Sequence, residues 1–470
     1  MSSSNRIGAP PGATPPAASV SGGSQLAEDA ASAPATPSDS GAPPSAPAPQ
    51  RRRRFIESQF PPFTPRQWRV FWISTTAGFF DSYDGALLSL ALRQIQRGLG
   101  VAEAHLGAML SVIRLGYLGS LLIAPLADVF GRRRLLLYTI VGYTIFTGLS
   151  AVAPHDRGFV TTQFLARAFS GAEATVSLVI LAEEVDAAVR GWALGLQGAL
   201  AISGYGLAAM VFALVGVIPY GWRGLYALAL LPLVLIMPLR RILPESKRFE
   251  RESLAGFRPA SAVEPVIALF RVYPKRLWIV VAVAFLNTMG AGSASFFFPT
   301  YLQEAHGWSP AQVSSLVVFG GALGILGSVV AGRLSDRFGR RMMGALFMFL
   351  GPLLTVWMYT TRTNAVIPLW MLRLFCDTAS GAITTIYSAE LFPTSHRAAA
   401  ASAMVVSGTT GGALGLMLES VLYGAIGSHW TSICYLTVFW LIASFVMFAL
   451  FPETAGRELD EISPESPAPW

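Results

Sequence analysis

The 470-residue chain is 53% hydrophobic and only 13% charged, with a mean hydropathy of +0.51. A water-soluble protein of this length needs far more polar surface, which excludes an ordinary globular enzyme or soluble binding module. A net charge of +7 raises nucleic acid as a partner, but the basic residues collect in alternate loops between apolar runs, so the basicity is topological.

Residues 1–50 are rich in Pro, Ala, Ser and Gly and are predicted to be disordered. The first apolar run follows this polar leader, so no cleavable signal peptide is expected. Arg51 to Arg54 stand just before that run and read as a topology anchor on anionic lipid. A span needs about 20 apolar residues to cross roughly 30 Å of hydrocarbon. Such runs predict six spans at 69–92, 106–127, 135–154, 159–182, 193–217 and 223–242. Six more follow at 277–301, 311–332, 342–361, 366–389, 398–424 and 430–451. The expected fold is an all-α membrane protein of twelve transmembrane helices in two pseudo-symmetric six-helix bundles. Its divisions are a cytoplasmic tail over 1–65, a first bundle over 66–243, a central loop over 244–276, a second bundle over 277–455 and a tail over 456–470. Ala262 to Arg271 suggest a short surface helix within the central loop. Arg132 to Arg134, Arg190, Arg240, Arg241, Lys247, Arg248, Lys275, Arg276, Arg337, Arg340, Arg341 and Arg397 fall on one side. That asymmetry places both termini in the cytoplasm, at a bacterial inner or plasma membrane. Cys376 and Cys434 lie inside spans and read as packing residues.

An internal repeat organises the chain. Leu126-Ala-Asp128-Val-Phe-Gly131-Arg132-Arg133 recurs as Leu334-Ser-Asp336-Arg-Phe-Gly339-Arg340-Arg341, offset 336 − 128 = 208. Glu183 to Arg190 recurs as Glu390 to Arg397 (390 − 183 = 207), and Pro244-Glu245-Ser246 as Pro452-Glu453-Thr454 (452 − 244 = 208). Six spans per repeat is an even number, so the halves are parallel repeats about an axis along the membrane normal.

The loop Leu-x-Asp-x-x-Gly-Arg-Arg between spans 2 and 3, and again between 8 and 9, resembles the signature of the major facilitator superfamily. Glu390-Leu-Phe-Pro393-Thr-Ser-His-Arg397 is similar to an element of its sugar-porter and metabolite:proton symporter branches. Gly78-Phe-Phe-Asp81-Ser-Tyr-Asp84 resembles the acidic first helix of bacterial metabolite and phosphate symporters. The resemblance covers about residues 66–460. It departs at Pro125, at Asp186 in place of proline, and in span 4, where Gln163 occupies the family arginine's position and Arg167 stands one turn further on. The resemblance implies secondary transport by alternating access. It also implies that Asp128, Gly131, Arg132, Glu183, Arg190, Asp336, Gly339, Arg340, Glu390 and Arg397 form a cytoplasmic gate of inter-helix ion pairs.

Charge inside a bilayer is costly, from about 2.5 kcal/mol on insertion scales upward, so intramembrane ionisable residues mark function. They are Asp81 and Asp84 in span 1, Arg114 in span 2, Arg167 and Glu173 in span 4, and Arg373 and Asp377 in span 10. At about 1.5 Å per residue, Asp81 lies roughly 20 Å in from Trp68 and Glu173 about 15 Å from Glu183. Asp81 and Asp84 share a helix face, and two close, buried carboxylates disfavour simultaneous ionisation, which suits a site that loads and releases a proton. Asp81, Asp84 and Glu173 are therefore proton-coupling candidates; the alternative for the aspartates is a static pair with Arg114 or Arg167. A guanidinium offers a fixed fork to carboxylate or phosphate, which makes Arg114 and Arg167 candidate substrate contacts. Arg373 and Asp377 are further substrate-binding candidates; four apart on one helix, they alternatively fit a mutually neutralising structural pair. Asn287, Tyr83, Phe296 and Tyr387 are further candidates for the cavity wall, with apolar packing the preferred reading for the aromatics. None of the five histidines lies mid-span.

No phosphate-cradling loop, metal-spaced His/Cys set or nucleophile elbow is found, so no enzyme, cofactor or metal site is expected. The reading is proton-coupled uptake of a small organic acid or similar polar metabolite by a monomer embedded in lipid. A sugar or polyol porter is the alternative, then a proton-driven exporter or a non-transporting nutrient sensor. Gly198 to Gly206 lacks the Gly-Pro element of the family's exporters.

Overall fold

The computed structural model describes residues 63–231, 264–393, 396–457 and 462–463. Among these residues the chain is helical, without strands. The principal helices are α1 (Pro65–Leu90), α2 (Glu103–Leu126), α3 (Arg132–Val152), α4 (Asp156–Glu184), α5 (Ala187–Phe212) and α6 (Trp222–Leu228). The second series is α7 (Pro274–Ala305), α8 (Pro310–Phe338), α9 (Arg340–Thr360), α10 (Val366–Glu390), α11 (Arg397–Ile426) and α12 (His429–Leu450). Ten of them, α2 to α5 and α7 to α12, are long and apolar enough to cross a membrane. Helix is the economical choice there, because every backbone polar group must be satisfied without water. α1 has the length but carries Arg66, Arg69, Asp81 and Asp84. α6 opens the sixth predicted span, of which residues 232–242 lie outside the described residues, as do most of the two tails and residues 243–263. A short helix, Glu264–Val272, stands close to where Ala262 to Arg271 suggested one. Several helices overrun the predicted spans; α8 continues to Phe338 through Arg333 and Asp336, because a helix keeps its backbone bonds after leaving the apolar layer.

The packing repeats as the sequence does. α1 packs on α5 as α7 does on α11; α2 packs on α4 as α8 does on α10; α3 meets α6 as α9 meets α12. The halves join where α2 meets α11, α5 meets α8 and α1 meets α7. Small residues permit the close approaches that apolar lipid does not otherwise drive. A methyl group on Gly119 would lie 2.6 Å from the Ala168 Cβ, and one on Gly116 would strike the Phe164 carbonyl. Their counterparts Gly324 and Gly327 pack on Leu374, Phe375 and Thr378 of α10. Gly131 and Gly339 turn the chain between consecutive helices at φ 94° and 97°, a region L side chains rarely adopt.

Glu453 closes the second of these turns. Its carboxylate accepts the backbone N–H groups of Arg340 (2.8 Å) and Arg341 (3.2 Å), two orphan donors at the start of α9, and those of Thr454 and Ala455. Partial burial pushes this carboxyl up, but the four backbone donors outweigh it and hold it below the usual carboxylate range. The cap's contribution is therefore full above the ordinary value of about 4.3 and is lost as pH falls through the lower folded value. Glu453→Ala is expected to cost about 1–2 kcal/mol in thermal unfolding of the solubilised protein at neutral pH. The difference from wild type should shrink on acidification.

At the end of the bundle opposite Gly131 and Gly339, polar contacts join the halves. Arg93 donates to the Gln303 carbonyl (3.0 Å) and lies 3.7 Å from Glu304; Gln94 donates to the Gln303 side chain (2.7 Å). The Ser89 hydroxyl donates to the Phe296 carbonyl, Tyr423 to Glu103 at 2.5 Å, and Ser420 to the Ala104 carbonyl.

Candidate functional site

The polar centre is built on α1, α2 and α4. Arg167 approaches Asp84 at 3.1 Å, with the two side chains 2% and 1% exposed. The same Nη2 donates to the Asp84 carbonyl (3.2 Å) and to the Gln163 side-chain oxygen (3.1 Å), while Nη1 donates to the Tyr117 hydroxyl (3.4 Å). Gln163 thus serves as a neutral acceptor for the arginine one turn along α4. Gly116 makes this assembly possible: a methyl group there would press on the Arg167 Cβ at 3.0 Å, and Tyr117 follows it directly. Asp81 accepts the Ser170 hydroxyl. Glu173, three residues beyond Ser170, is wholly buried, and neither carboxylate oxygen has a hydrogen-bond partner among the described residues.

Arg114 is three residues before Tyr117, on the same face of α2. Among the described residues it has no carboxylate within ion-pair distance, and its Nε is buried without an acceptor. Its guanidinium crosses to the second half and lies against Gly412 of α11 and Gly292 of α7. In that half Arg373 is buried and held by neutral groups: Nε donates to Thr355 (3.2 Å), Nη2 to Ser295 (2.7 Å), and Cζ lies 5.6 Å from the Trp440 ring centroid. Asp377 is 4.0 Å away with 29% of its side chain exposed, so the expected pair is the looser of Arg373's contacts. Asn287 on α7 is half-buried, with an unpartnered side-chain oxygen. Tyr83 is buried, and its hydroxyl donates to the Leu225 carbonyl of α6 at 3.3 Å. The structure therefore brings Asp81, Asp84, Arg167 and Tyr117 together, with Arg114 reaching from α2 to the second half. Tyr83 belongs to helix packing.

The residues at the Gly131 and Gly339 end pair within each half. Arg132 of α3 lies 3.0 Å from Glu183 of α4, and Arg340 of α9 pairs with Glu390 of α10 and, at 3.2 Å, with Asp336. The resemblance implied ion pairs for Arg190 and Arg397 also. Instead each donates to a carbonyl five residues back, Val185 (3.4 Å) and Phe392 (3.1 Å), just past a helix end. A cation suits that position, where carbonyls lack helical partners. The Asp128 side chain lies outside the described residues.

Sequence reasoning missed Glu419. It is fully buried in α11, 2.6 Å from His429 Nδ1 at the start of α12, and its other oxygen faces Gly107 of α2. The signal was present, since Glu419 falls inside the predicted span 398–424. The Arg66–Glu184 pair (2.7 Å), which ties α1 to the end of α4, lay outside the predicted spans.

The sequence profile of the Major Facilitator Superfamily matches residues 75–375 and 280–470. The chain belongs to that superfamily. It is an integral membrane transporter of small molecules and not an enzyme. It is 26% identical to a putative metabolite transport protein of Haemophilus influenzae, over 84% of this chain and 98% of that one. It is 27% identical to the 4-hydroxybenzoate transporter PcaK of Pseudomonas aeruginosa, over 81% and 92%. The fold is that of the inward-open xylose transporter XylE of E. coli, with a TM-score of 0.66 at 19% identity, over 84% of this chain and 99% of that one.

Proposed function

We propose that this transporter takes up a small carboxylic acid together with protons, and that Arg114 receives the acid's carboxylate. The observation that carries the reading is the imbalance of charge at the centre. Arg167 is already neutralised by Asp84, whereas Arg114 has no acidic partner among the described residues. A half-buried guanidinium with no acidic partner among the described residues is costly unless an anion completes it, and its planar fork matches a carboxylate. The relative named for 4-hydroxybenzoate supports the same substrate class. Glu173, buried without a donor, is the coupling residue: it enters the cycle carrying a proton and returns it on the cytoplasmic side. Asp81, held by Ser170, is the group with which it exchanges that proton.

The positive-inside pattern supports a bacterial inner-membrane location with both termini cytoplasmic. The Gly131 and Gly339 end then faces the cytoplasm, and the contacts of Arg93, Gln94 and Glu103 shut the opposite side. The Arg132–Glu183 and Arg340–Glu390 pairs make each half a rigid body, so that the halves rock about the centre as units. The unit that works is the monomer in lipid.

The test is uptake of labelled 4-hydroxybenzoate, and of a panel of acids, sugars and amino acids, into cells expressing the protein. Small carboxylic acids should be taken up and should compete with one another. Their amide and alcohol analogues should compete at least tenfold less well. Equal competition by neutral analogues, or uptake of sugars alone, would remove Arg114 from the role given to it.

A further inference from the structure

Arg114, which has no acidic partner among the described residues, lies against helix backbone contributed by the other half. We infer that Gly412 is a positioning residue for Arg114. The space that any side chain at 412 would fill is the seat that holds the guanidinium ready for the substrate's carboxylate. This rests on the role given to Arg114 above.

A methyl group built on Gly412 would lie 2.5 Å from Arg114 Cζ and 2.6 Å from Nη2, with Nε nearer still. Three guanidinium atoms therefore occupy the volume that glycine leaves empty. Gly292 borders the seat on the α7 side, 3.9 Å from Nη1 for the same construction.

The neighbouring glycines of α11 serve a different purpose. Methyl groups on Gly411 and Gly415 would strike the Phe285 and Met289 carbonyls of α7, so these two let α7 and α11 approach. Gly411 recurs in the first half as Gly204 (411 − 204 = 207), which packs on the Phe79 carbonyl of α1 in the same way. Gly412 does not recur. Its counterpart is Tyr205 (412 − 205 = 207), and the counterpart of Arg114 is Ala322 (322 − 114 = 208). Gly415 does not recur either, its counterpart being Ala208 (415 − 208 = 207), so what sets Gly412 apart is the arginine seated on it.

Seating a guanidinium on a flat backbone removes side-chain freedom before substrate arrives, which lowers the cost of ordering it on binding. The seat also exists only while α2 and α11 are together. Because these helices belong to different halves, rocking that separates them takes the seat away and frees the arginine.

The test uses the full-length protein in proteoliposomes and labelled 4-hydroxybenzoate. The three atoms nearest the methyl group of Gly412→Ala all belong to the mobile end of the Arg114 side chain, so the variant should insert normally. Its KM should rise tenfold or more with little change in maximal rate. Gly424→Ala, on the same helix and with nothing within 4 Å of the added methyl group, should stay within twofold of wild type. In an Arg114→Ala background, residual uptake should change less than twofold when Gly412→Ala is added, because the group it displaces is gone. Equal KM values for Gly412→Ala and Gly424→Ala would overturn the inference. So would a full additional loss in the Arg114→Ala background, or failure of Gly412→Ala to insert whether or not Arg114 is present. Normal KM in Arg114→Ala alone would instead defeat the parent reading, whatever Gly412→Ala does.

Discussion

Arg114→Ala is expected to cut acid uptake at low substrate concentration by about 30-fold or more. Removing one partner of a buried, hydrogen-bonded charge pair costs about 2–5 kcal/mol, and each 1.4 kcal/mol is about tenfold in affinity. The loss should appear mainly in KM, and it should not destabilise the protein, because among the described residues Arg114 has no carboxylate to leave unpaired. Thermal unfolding of the solubilised variant should match or exceed wild type. A variant that unfolds early while its KM is unchanged would make Arg114 a packing residue.

Asp84 and Arg167 should behave in the opposite way. Either single substitution, Asp84→Ala or Arg167→Ala, strands a charge that is almost without water contact. Breaking a buried pair costs about 3–5 kcal/mol, a large part of a typical total stability of about 5–15 kcal/mol. Both singles are expected to show a strong drop in melting temperature and in the amount inserted. The double variant Asp84→Leu/Arg167→Met removes both charges at once and should recover much of that stability, since apolar replacement of an ion pair is often close to neutral. It should still fail to transport, because Arg167 also fixes Tyr117 and Gln163. A double variant that folds and transports normally would reduce the pair to a structural lock.

Much of this was legible in the chain itself. Long apolar runs and a shared offset of 207 to 208 residues are strong signals, because a bilayer leaves few structures able to cross it. Intramembrane charge is equally plain, and the acids of α1 and the arginines of α2, α4 and α10 were found that way. What could not be read was partnership. Asp84 had two candidate arginines, and only the packing of α1 against α4 assigns it to Arg167. Arg373 had a carboxylate one turn away, yet its nearer partners, Ser295 and Thr355, come from two other helices. Helical spacing gives neighbours on one helix and is silent about the next one. Tyr83 shows the same limit: it shares a helix with Asp81 and Asp84 but turns its hydroxyl to α6. Arg190 and Arg397 carried the mark of an ion-pair motif, and the local geometry of two helix ends gave them carbonyls instead.

The central claim is that a carboxylate substrate moves with a proton held by a buried acid. The most direct measurement is the pH of lightly buffered medium around de-energised cells expressing the protein, on addition of 4-hydroxybenzoate or another accepted acid. Wild type should alkalinise the medium, whereas Glu173→Gln should still exchange labelled acid across the membrane without alkalinising it. Labelled uptake by wild type with no change in pH, or alkalinisation by Glu173→Gln equal to wild type, would contradict the account.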